Sequence, residues 1–425
     1  MSEQMRKVAV IGGSRIPFCR SNTSYAEKTN LDMLTTALQG VVDRFHIHGE
    51  KLDEVIAGAV TSHSKDWNLA REALLSTTLS PLTPGITLQQ ACGTSLQAAL
   101  MIGAKIATGQ IECGIAAGTD TTSDPPITFG RKFSQRLVKM GSARSAKQRL
   151  LAFKGFRPSE LKPVLPANGE PRTGMSMGQH CERMAHEWKI AREDQDRLAM
   201  ESHGKANRAY DEGFFDPIVT PWSGVARDNN IRADSDMEKL GSLRTAFARD
   251  AAATLTAGNS TPLTDGAAGV LLASEEWARA RNLPIQAWLI AGRTSAVDFV
   301  NDEGLLMAPT IAVAELLQKT GLALQDFDFY EIHEAFAAQV LCTLAAWDSE
   351  SYCRRRLGLN EALGAIDRGR LNVKGSSLAV GHPFAATGAR ILSTLAQILE
   401  NAGSGRGLIS VCTAGGMGVA AILER

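Results

Sequence analysis

Gly85-Ile86-Thr87-Leu88-Gln89-Gln90-Ala91-Cys92-Gly93-Thr94-Ser95-Leu96-Gln97-Ala98-Ala99-Leu100-Met101-Ile102-Gly103-Ala104-Lys105 is the stretch whose reading decides the fold. Ile86 to Leu88 is an apolar, β-compatible run. Beyond Cys92, small residues open a segment in which Leu96, Ala99, Leu100 and Gly103 recur at helical spacing. Cys92 therefore sits where a strand hands over to a helix. The first backbone N–H groups of a helix are unpaired and its dipole is positive there, which favours a thiolate and predicts a lowered thiol pKa. A small buried hydrophobe is the other reading of a lone intracellular cysteine.

Working outward, the pattern repeats. Upstream, Lys7 to Ile11 reads as a strand ending in Gly12-Gly13. A helix follows from Asn30 with Leu31, Leu34, Leu38, Val41, Val42 and Phe45 on one face, and the Leu52 to Val60 segment reads as a second strand. Downstream, Cys113-Gly-Ile-Ala-Ala-Gly-Thr-Asp is a further strand. This alternation predicts a mainly parallel, covered sheet with functional groups at its strand ends. From Pro284 the same order returns: Ile285 to Gly292 echoes the Lys7 strand, Phe327 to Ile332 the Leu52 strand, Ala386-Thr-Gly-Ala-Arg the Cys92 helix, and Gly407 to Gly416 the Cys113 strand. A duplicated α/β unit follows, with Cys92 and later strand ends near one pseudo-twofold junction.

Between Thr121 and Arg249 the alternation breaks. Arg131, Lys132, Arg136, Lys139, Arg144, Lys147, Arg149, Lys154 and Arg157 fall there with no acidic residue between Asp124 and Glu160. Such a run suits a solvated face, a grip on phosphates, a partner subunit or an anionic membrane surface. Residues 182–212 read as one or two helices, and Thr254 to Thr261 as a turn back into the core.

The 425 residues exceed one ordinary core and suggest about two or three domains; a 44% hydrophobic and 21% charged composition is that of a soluble globular protein. Equal numbers of basic and acidic residues, 45 each, give no overall pull toward nucleic acid. Seven scattered cysteines without a C-x-x-C pair argue against a disulfide framework or zinc site, and predict a reducing, cytoplasmic setting. No apolar run is long enough to span a bilayer, and the N-terminus has no apolar signal core.

Three later motifs carry chemistry. His382 lies in Gly381-His382-Pro383 just before a helix, where it could take the Cys92 proton or polarise a carbonyl; a surface turn histidine is the alternative. Cys412, in Val411-Cys412-Thr-Ala-Gly-Gly-Met-Gly, ends a strand before a glycine turn. There it could shuttle a proton while backbone N–H groups face an oxyanion, or be a buried structural cysteine. His333 and Glu334 end the Phe327 strand, as site residues or as a capping pair. Gly415-Gly-Met-Gly is not expected to be a dinucleotide loop, since the full G-x-G-x-x-G is missing.

QQACGTSLQA around Cys92, HEAF at His333, GHPFAATGAR around His382 and CTAGGMG around Cys412, with LTAGNST and TDGAA in support, resemble the thiolase family over essentially the whole chain. HEAF with GHPFAATG looks most like the β-subunit of fatty-acid oxidation complexes. The resemblance implies an α/β thiolase fold of two βαβαβαββ halves, whose sheets sandwich helices in a five-layered core. It also implies an N-terminal half over 1–120 with a return strand near 254–275, a loop domain over 121–250 covering coenzyme A, and a C-terminal half over 276–425. It further implies a homodimer or tetramer, with a hydratase/dehydrogenase α-subunit as a partner of such complexes, and no cofactor beyond coenzyme A as substrate.

By the same resemblance, His382 activates Cys92 for attack on a 3-ketoacyl-CoA and Cys412 acts as acid and then base. His382 with a water or the side chain at His333 forms one oxyanion hole, and the backbone N–H groups of Cys92 and Ala414 the other. Met177, Ser260 and Thr261 line the pantetheine channel. The chain departs from the family at Gln89, Thr94-Ser95, Ala308-Pro309 and Ala191, where an Asn, a Ser-Gly, a Gly-Pro and a helix-capping hydroxyl are usual. A short-chain acetyl-CoA acetyltransferase, a decarboxylating condensing enzyme, which would need no Cys412, and a catalytically silent acyl-CoA-binding subunit are the competing readings.

Overall fold

The structure, a computed structural model, describes residues 5–425. In chain order its first half places β1 (Val8–Arg15), α1 (Asn30–Arg44), β2 (Glu54–Gly58), α2 (Leu69–Leu75), β3 (Gly85–Thr87), α3 (Thr94–Ala107) and β4 (Cys113–Asp120). An excursion carrying α4 (Arg131–Ser142), α5 (Ala146–Leu151), α6 (Met177–Glu187) and α7 (Arg192–Asp211) leads back into β5 (Thr264–Ser274). The second half follows with β6 (Ala287–Ala296), α8 (Ala308–Thr320), β7 (Phe329–Ile332), α9 (Ala337–Asp348), α10 (Thr387–Ala402), β8 (Arg406–Thr413) and β9 (Met417–Glu424).

The strands run in the order β7-β8-β9-β6-β1-β5-β4-β2-β3, the two halves of the sheet meeting at the pairs Ala9–Trp288 and Val10–Ala287. The expected mainly parallel sheet is instead mixed: β7/β8, β4/β2 and β2/β3 are parallel, while β1/β5, β5/β4, β6/β9 and β8/β9 are antiparallel. The reason is the closing strand of each half. β5 returns from the excursion and β9 from the tight Ala414–Gly416 turn, and each lies against a neighbour running the other way.

Alternation along the strands builds the layers. Val8 and Val10 of β1 and Ile56 of β2 pack with α3 and α10 in one core, and so do Ile409 and Val411 of β8 and Val419, Ala421 and Leu423 of β9. Their neighbours face outward: Ala9, Ile11, Val55 and Ala57 meet α1 and α2, and Leu408, Ala420 and Ile422 meet α8 and α9. With side chains alternating between faces, both halves of the sheet are covered on both sides and α3 and α10 lie between them, which is the five-layered core.

The duplication is incomplete at one place. The second-half counterpart of β3 is reduced to a single bridge between Tyr330 and Leu371. Asn372 takes over the missing ladder: its backbone N–H donates to the Tyr330 carbonyl, its Oδ1 accepts from Ile332 N at 2.9 Å and its Nδ2 donates to Ile332 O at 2.9 Å.

In the excursion, Cys181, Met184 and Ala185 of α6 pack on α9, and Leu198 and Ala199 of α7 join the outer second-half core. Residues 182–212 are thus two helices, broken at 188–191, and Ala191 stands at the N-cap of α7 with no side-chain cap. The cationic run lies on α4, α5 and their flanks, which bury no residue. Arg136 pairs with Glu160, and Val138, Leu150 and Leu151 face solvent among the remaining cations.

α3 and α10 are in close contact at Gly388, where a Cβ would stand 2.3 Å from the Leu96 backbone nitrogen. Gly388→Ala must separate the helices that carry Cys92 and follow His382. It is expected to cost about 1–3 kcal/mol, typical of an overfilled core, measured by urea denaturation; an unchanged midpoint would mean the crossing is more compliant than this packing.

Candidate active site

Cys92 is delivered by the crossover from β3 to α3. Ala91 holds φ +46°, a left-handed backbone that a non-glycine residue adopts only when its surroundings impose it. Thr94 supplies the constraint: its hydroxyl accepts from Gln90 N at 2.8 Å and donates to Ala91 O at 2.7 Å. The Thr-Ser pair that departs from the family pattern is thus structural at both positions, since Ser95 Oγ accepts from Ala389 N at 2.8 Å and so caps the first turn of α10. Its hydroxyl points into the helix crossing.

His382 comes from the turn before α10, 290 residues away in the chain, and its Nε2 lies 3.1 Å from Cys92 Sγ. Its other nitrogen, Nδ1, is 2.6 Å from Thr387 Oγ1, and its backbone N–H donates to Thr264 Oγ1. Gly381 holds φ +100° with Thr264 packed against it, so a side chain there would displace the threonine that fixes His382.

His333 ends β7, where its backbone N–H donates to Ser410 O, and its ring centroid is 4.2 Å from that of His382. Nδ1 is 2.7 Å from Ser377 Oγ, while the buried Nε2 has no partner. The capping alternative falls away: helix α9 starts at Ala337 without a side-chain cap. Glu334 is buried and accepts from Ser202, Asn372 and the Leu378 backbone, so it braces the strand end. Ligand atoms of Cys92, His333 and His382 lie within 4.8 Å of one another.

Cys412 lies at the end of β8, buried, paired in the ladder with Gly418 and near enough to Cys92 that the two thiols disfavour each other's ionisation. The backbone N–H groups of Ala414, in the following turn, and of Cys92 itself favour the Cys92 thiolate, against the larger effect of burial. Gly415 (φ +76°) and Gly416 (φ +70°) allow that turn, and Glu170 of the excursion holds it by accepting from Gly415 N at 2.9 Å.

Met177 opens α6 and packs in the cluster that contains Cys412 and Phe336. Ser260 bridges Phe336, and Thr261 bonds the Ala335 carbonyl through both its backbone N–H and its hydroxyl. All three are thus gathered around the HEAF strand end. Ser260 Oγ is buried without a partner, a free polar atom of the kind an amide-bearing substrate chain would satisfy.

Burial dominates the electrostatics. The helix start was expected to lower the Cys92 pKa; instead desolvation pushes the thiol up to about 12, outweighing the Ala414 and Cys92 N–H groups. Burial, followed by the Arg390 charge, pulls His382 down to about 3. At neutral pH the resting site is a thiol hydrogen-bonded to a neutral imidazole, and charge separates only as the sulfur attacks. Desolvation likewise holds His333 well below its usual range and Cys412 well above its own.

Sequence reasoning missed the residues that hold these groups. Asp120, the acid ending the Cys113 strand, accepts from Val60 N, Thr61 N, Thr61 Oγ1 and Ala385 N, and so ties the His382 turn to the Cys92 half. Its signal was an acid closing an otherwise apolar strand. Thr264 and Thr387 lay inside the quoted TDGAA and GHPFAATGAR stretches without being singled out, and Glu170 gave no signal because its partner Gly415 is remote in sequence. A cavity of about 520 Å³ lined by Arg44, Glu50, Arg281 and Glu400 contains none of these site residues.

A duplicated α/β scaffold that brings a buried thiol, an imidazole and paired N–H donors to one junction defines an acyl-transferring cysteine enzyme. The family model for the thiolase N-terminal domain matches residues 8–276 and that for the thiolase C-terminal domain residues 286–425, and the chain belongs to the thiolase family. Proteins named 3-ketoacyl-CoA thiolase from Yersinia pestis (strain Pestoides F) and Yersinia pseudotuberculosis serotype O:3 (strain YPIII) are each 38% identical over 430 residues, covering 100% of this chain and 98% of theirs. Among solved structures, the Bacillus anthracis acetyl-CoA acetyltransferase superposes with a TM-score of 0.83 at 28% identity over 100% of both chains. Human mitochondrial 3-ketoacyl-CoA thiolase in complex with CoA superposes with a TM-score of 0.81 at 26% identity, over 99% of this chain and 98% of that one.

Thr387→Val removes the acceptor for His382 Nδ1–H and lets the imidazole take the tautomer that cannot accept from the thiol. Alkylation of Cys92 by iodoacetamide, followed by mass spectrometry, is expected to slow about 10-fold or more, the usual scale for removing an orienting partner; an unchanged rate would show that Thr387 does not set the tautomer.

Proposed function

We propose that this enzyme is a 3-ketoacyl-CoA thiolase, an acetyl-CoA C-acyltransferase of fatty-acid β-oxidation, working through an acyl group on Cys92. The observation that carries the reading is the 3.1 Å contact of His382 Nε2 with the Cys92 thiol, with a second cysteine, Cys412, buried beside them. His382 takes the thiol proton as Cys92 attacks the C3 carbonyl, and the Cys92 and Ala414 N–H groups stabilise the oxyanion. The C2–C3 bond breaks, leaving a thioester on Cys92. The enolate of acetyl-CoA, its oxygen facing His382 and His333, takes a proton from Cys412. Cys412 then removes the proton of incoming coenzyme A, whose sulfur attacks the thioester; acyl-CoA leaves and the released Cys92 thiolate takes its proton back from His382.

A second thiol, positioned beside the first, suits a step that needs an acid and then a base. This separates the reading from a decarboxylating condensing enzyme, whose enolate forms by loss of carbon dioxide. The 38% identical relatives named 3-ketoacyl-CoA thiolase favour it over a short-chain acetyltransferase, to which the Bacillus anthracis structure points. The intact reacting set disfavours a silent subunit.

Coenzyme A is read as substrate, with Met177, Ser260 and Thr261 along its pantetheine arm and the 121–250 loop domain, set between halves 1–120 and 276–425, as its cover. A homodimer is supported by β3, an unpaired sheet edge with Ile86 and Thr87 exposed. A hydratase/dehydrogenase α-subunit is the partner such thiolases serve. Seven free, buried cysteines fit a reducing cytoplasm.

Coenzyme A-dependent cleavage of 3-ketoacyl-CoAs of about four to sixteen carbons tests the substrate class. Turnover of the long chains is expected; reaction of acetoacetyl-CoA alone would shift the assignment to the acetyltransferase. Cys92→Ala is expected to abolish both turnover and the acyl adduct seen by mass spectrometry, and an adduct elsewhere would remove Cys92 from its role. Cys412→Ala is expected to lower kcat about 10²–10⁴-fold, the range for losing an acid–base group; near-normal turnover would give that task to another residue.

A further inference from the structure

His333 has one nitrogen with a partner and one without. Nδ1 meets Ser377 Oγ at 2.7 Å, and the buried Nε2 is unpartnered. A neutral imidazole carries a single N–H, and the partner of one nitrogen decides whether the other donates or accepts. The partner here is constrained in turn. Ser377 Oγ lies 2.6 Å from Arg390 Nη2, and Arg390 Nη1 lies 3.2 Å from Ser376 Oγ. A guanidinium only donates. The Ser377 oxygen therefore accepts from Arg390, and because among the described residues its hydrogen meets no acceptor other than His333 Nδ1, that hydrogen goes to Nδ1.

We propose that Ser377 and Arg390 are positioning residues that lock His333 as its Nε2–H tautomer, so that the side chain enters the site as a hydrogen-bond donor. This rests on the thiolase reading, in which that donor and His382, once it holds the Cys92 proton, face the enolate oxygen. His333 then needs no positive charge to act. The groups that face it are His382, Arg390, Cys92 and Ser377, with Glu331 and Glu334 flanking it on the same strand end. Burial, His382 and Arg390 all disfavour its protonation, so the tautomer decides its chemistry.

The position of Arg390 agrees with this role. It is buried on α10 and its side-chain hydrogen bonds go to the two serines, Glu331 and Glu334 acting on it only at longer range. Burying a guanidinium without a bonded carboxylate is costly, and here it supplies a donor that cannot reverse. The lock also withholds the Nε2 lone pair, so Cys92, His333 and His382 do not together offer three free donors to a metal ion.

The tests are Ser377→Ala, Ser377→Thr and the double variant with His333→Asn, whose amide donates without any tautomer. Ser377→Ala is expected to lower kcat about 10–100-fold, the scale for an orienting partner, with KM for the acyl-CoA little changed; Ser377→Thr restores it. In the His333→Asn background the Ser377→Ala loss is expected to vanish. The same loss in that background would make Ser377 merely structural and overturn the proposal. Histidine-selective ¹⁵N NMR gives a readout independent of turnover: His333 is expected as Nε2–H in the wild type, with Nδ1–H appearing in Ser377→Ala. A wild-type Nδ1–H signal overturns the lock, whereas a wild type with the lock intact but no thiolytic cleavage overturns the thiolase reading instead.

Discussion

The 3.1 Å contact between His382 Nε2 and Cys92 Sγ is what the rest of the molecule is arranged to make, since it joins side chains 290 residues apart on different halves of the fold. Neither residue can be placed locally. Cys92 depends on a left-handed turn at Ala91 held by Thr94, and His382 on a glycine turn held by Thr264 and Thr387. The scaffold supplies the register between the two, through α3 and α10 packed together at Gly388 and through Ser95, which ties their first turns.

The reacting groups are buried, and that decides how their chemistry can start. Burial raises the thiol and depresses the imidazole, so the resting pair is neutral. A preformed ion pair would have to be maintained against desolvation; a neutral pair avoids that cost and lets charge develop only where N–H donors wait for it. The same burial magnifies the consequence of each hydrogen-bond direction around the site, which is why serines, threonines and a single buried arginine surround the reacting groups.

Much of the fold was legible. The strand–helix alternation, its return after Pro284 and the buried face of α1 follow from apolar spacing that the structure repeats in its layers. The strand directions were not legible, because β5 comes back after an excursion of more than a hundred residues and its neighbour is chosen by packing. The third strand of the second half was hidden as well, since Asn372 replaces ladder bonds with a side-chain amide that periodicity does not register. Of the site, Cys92, His333, His382 and Cys412 stood out because each is a reactive residue at the end of an apolar run.

By itself the sequence determined which residues could react, the order of strands and helices and which family the chain belongs to, because these are properties of residue type and local spacing. Tertiary structure alone decided the state in which they rest and the direction in which they donate. The raised Cys92 thiol, the neutral His382 and the single hydrogen on His333 come from desolvation and from partners such as Thr387, Ser377 and Arg390. Burial and hydrogen-bond direction are set by what packs around a side chain, and for these residues much of that comes from distant parts of the chain.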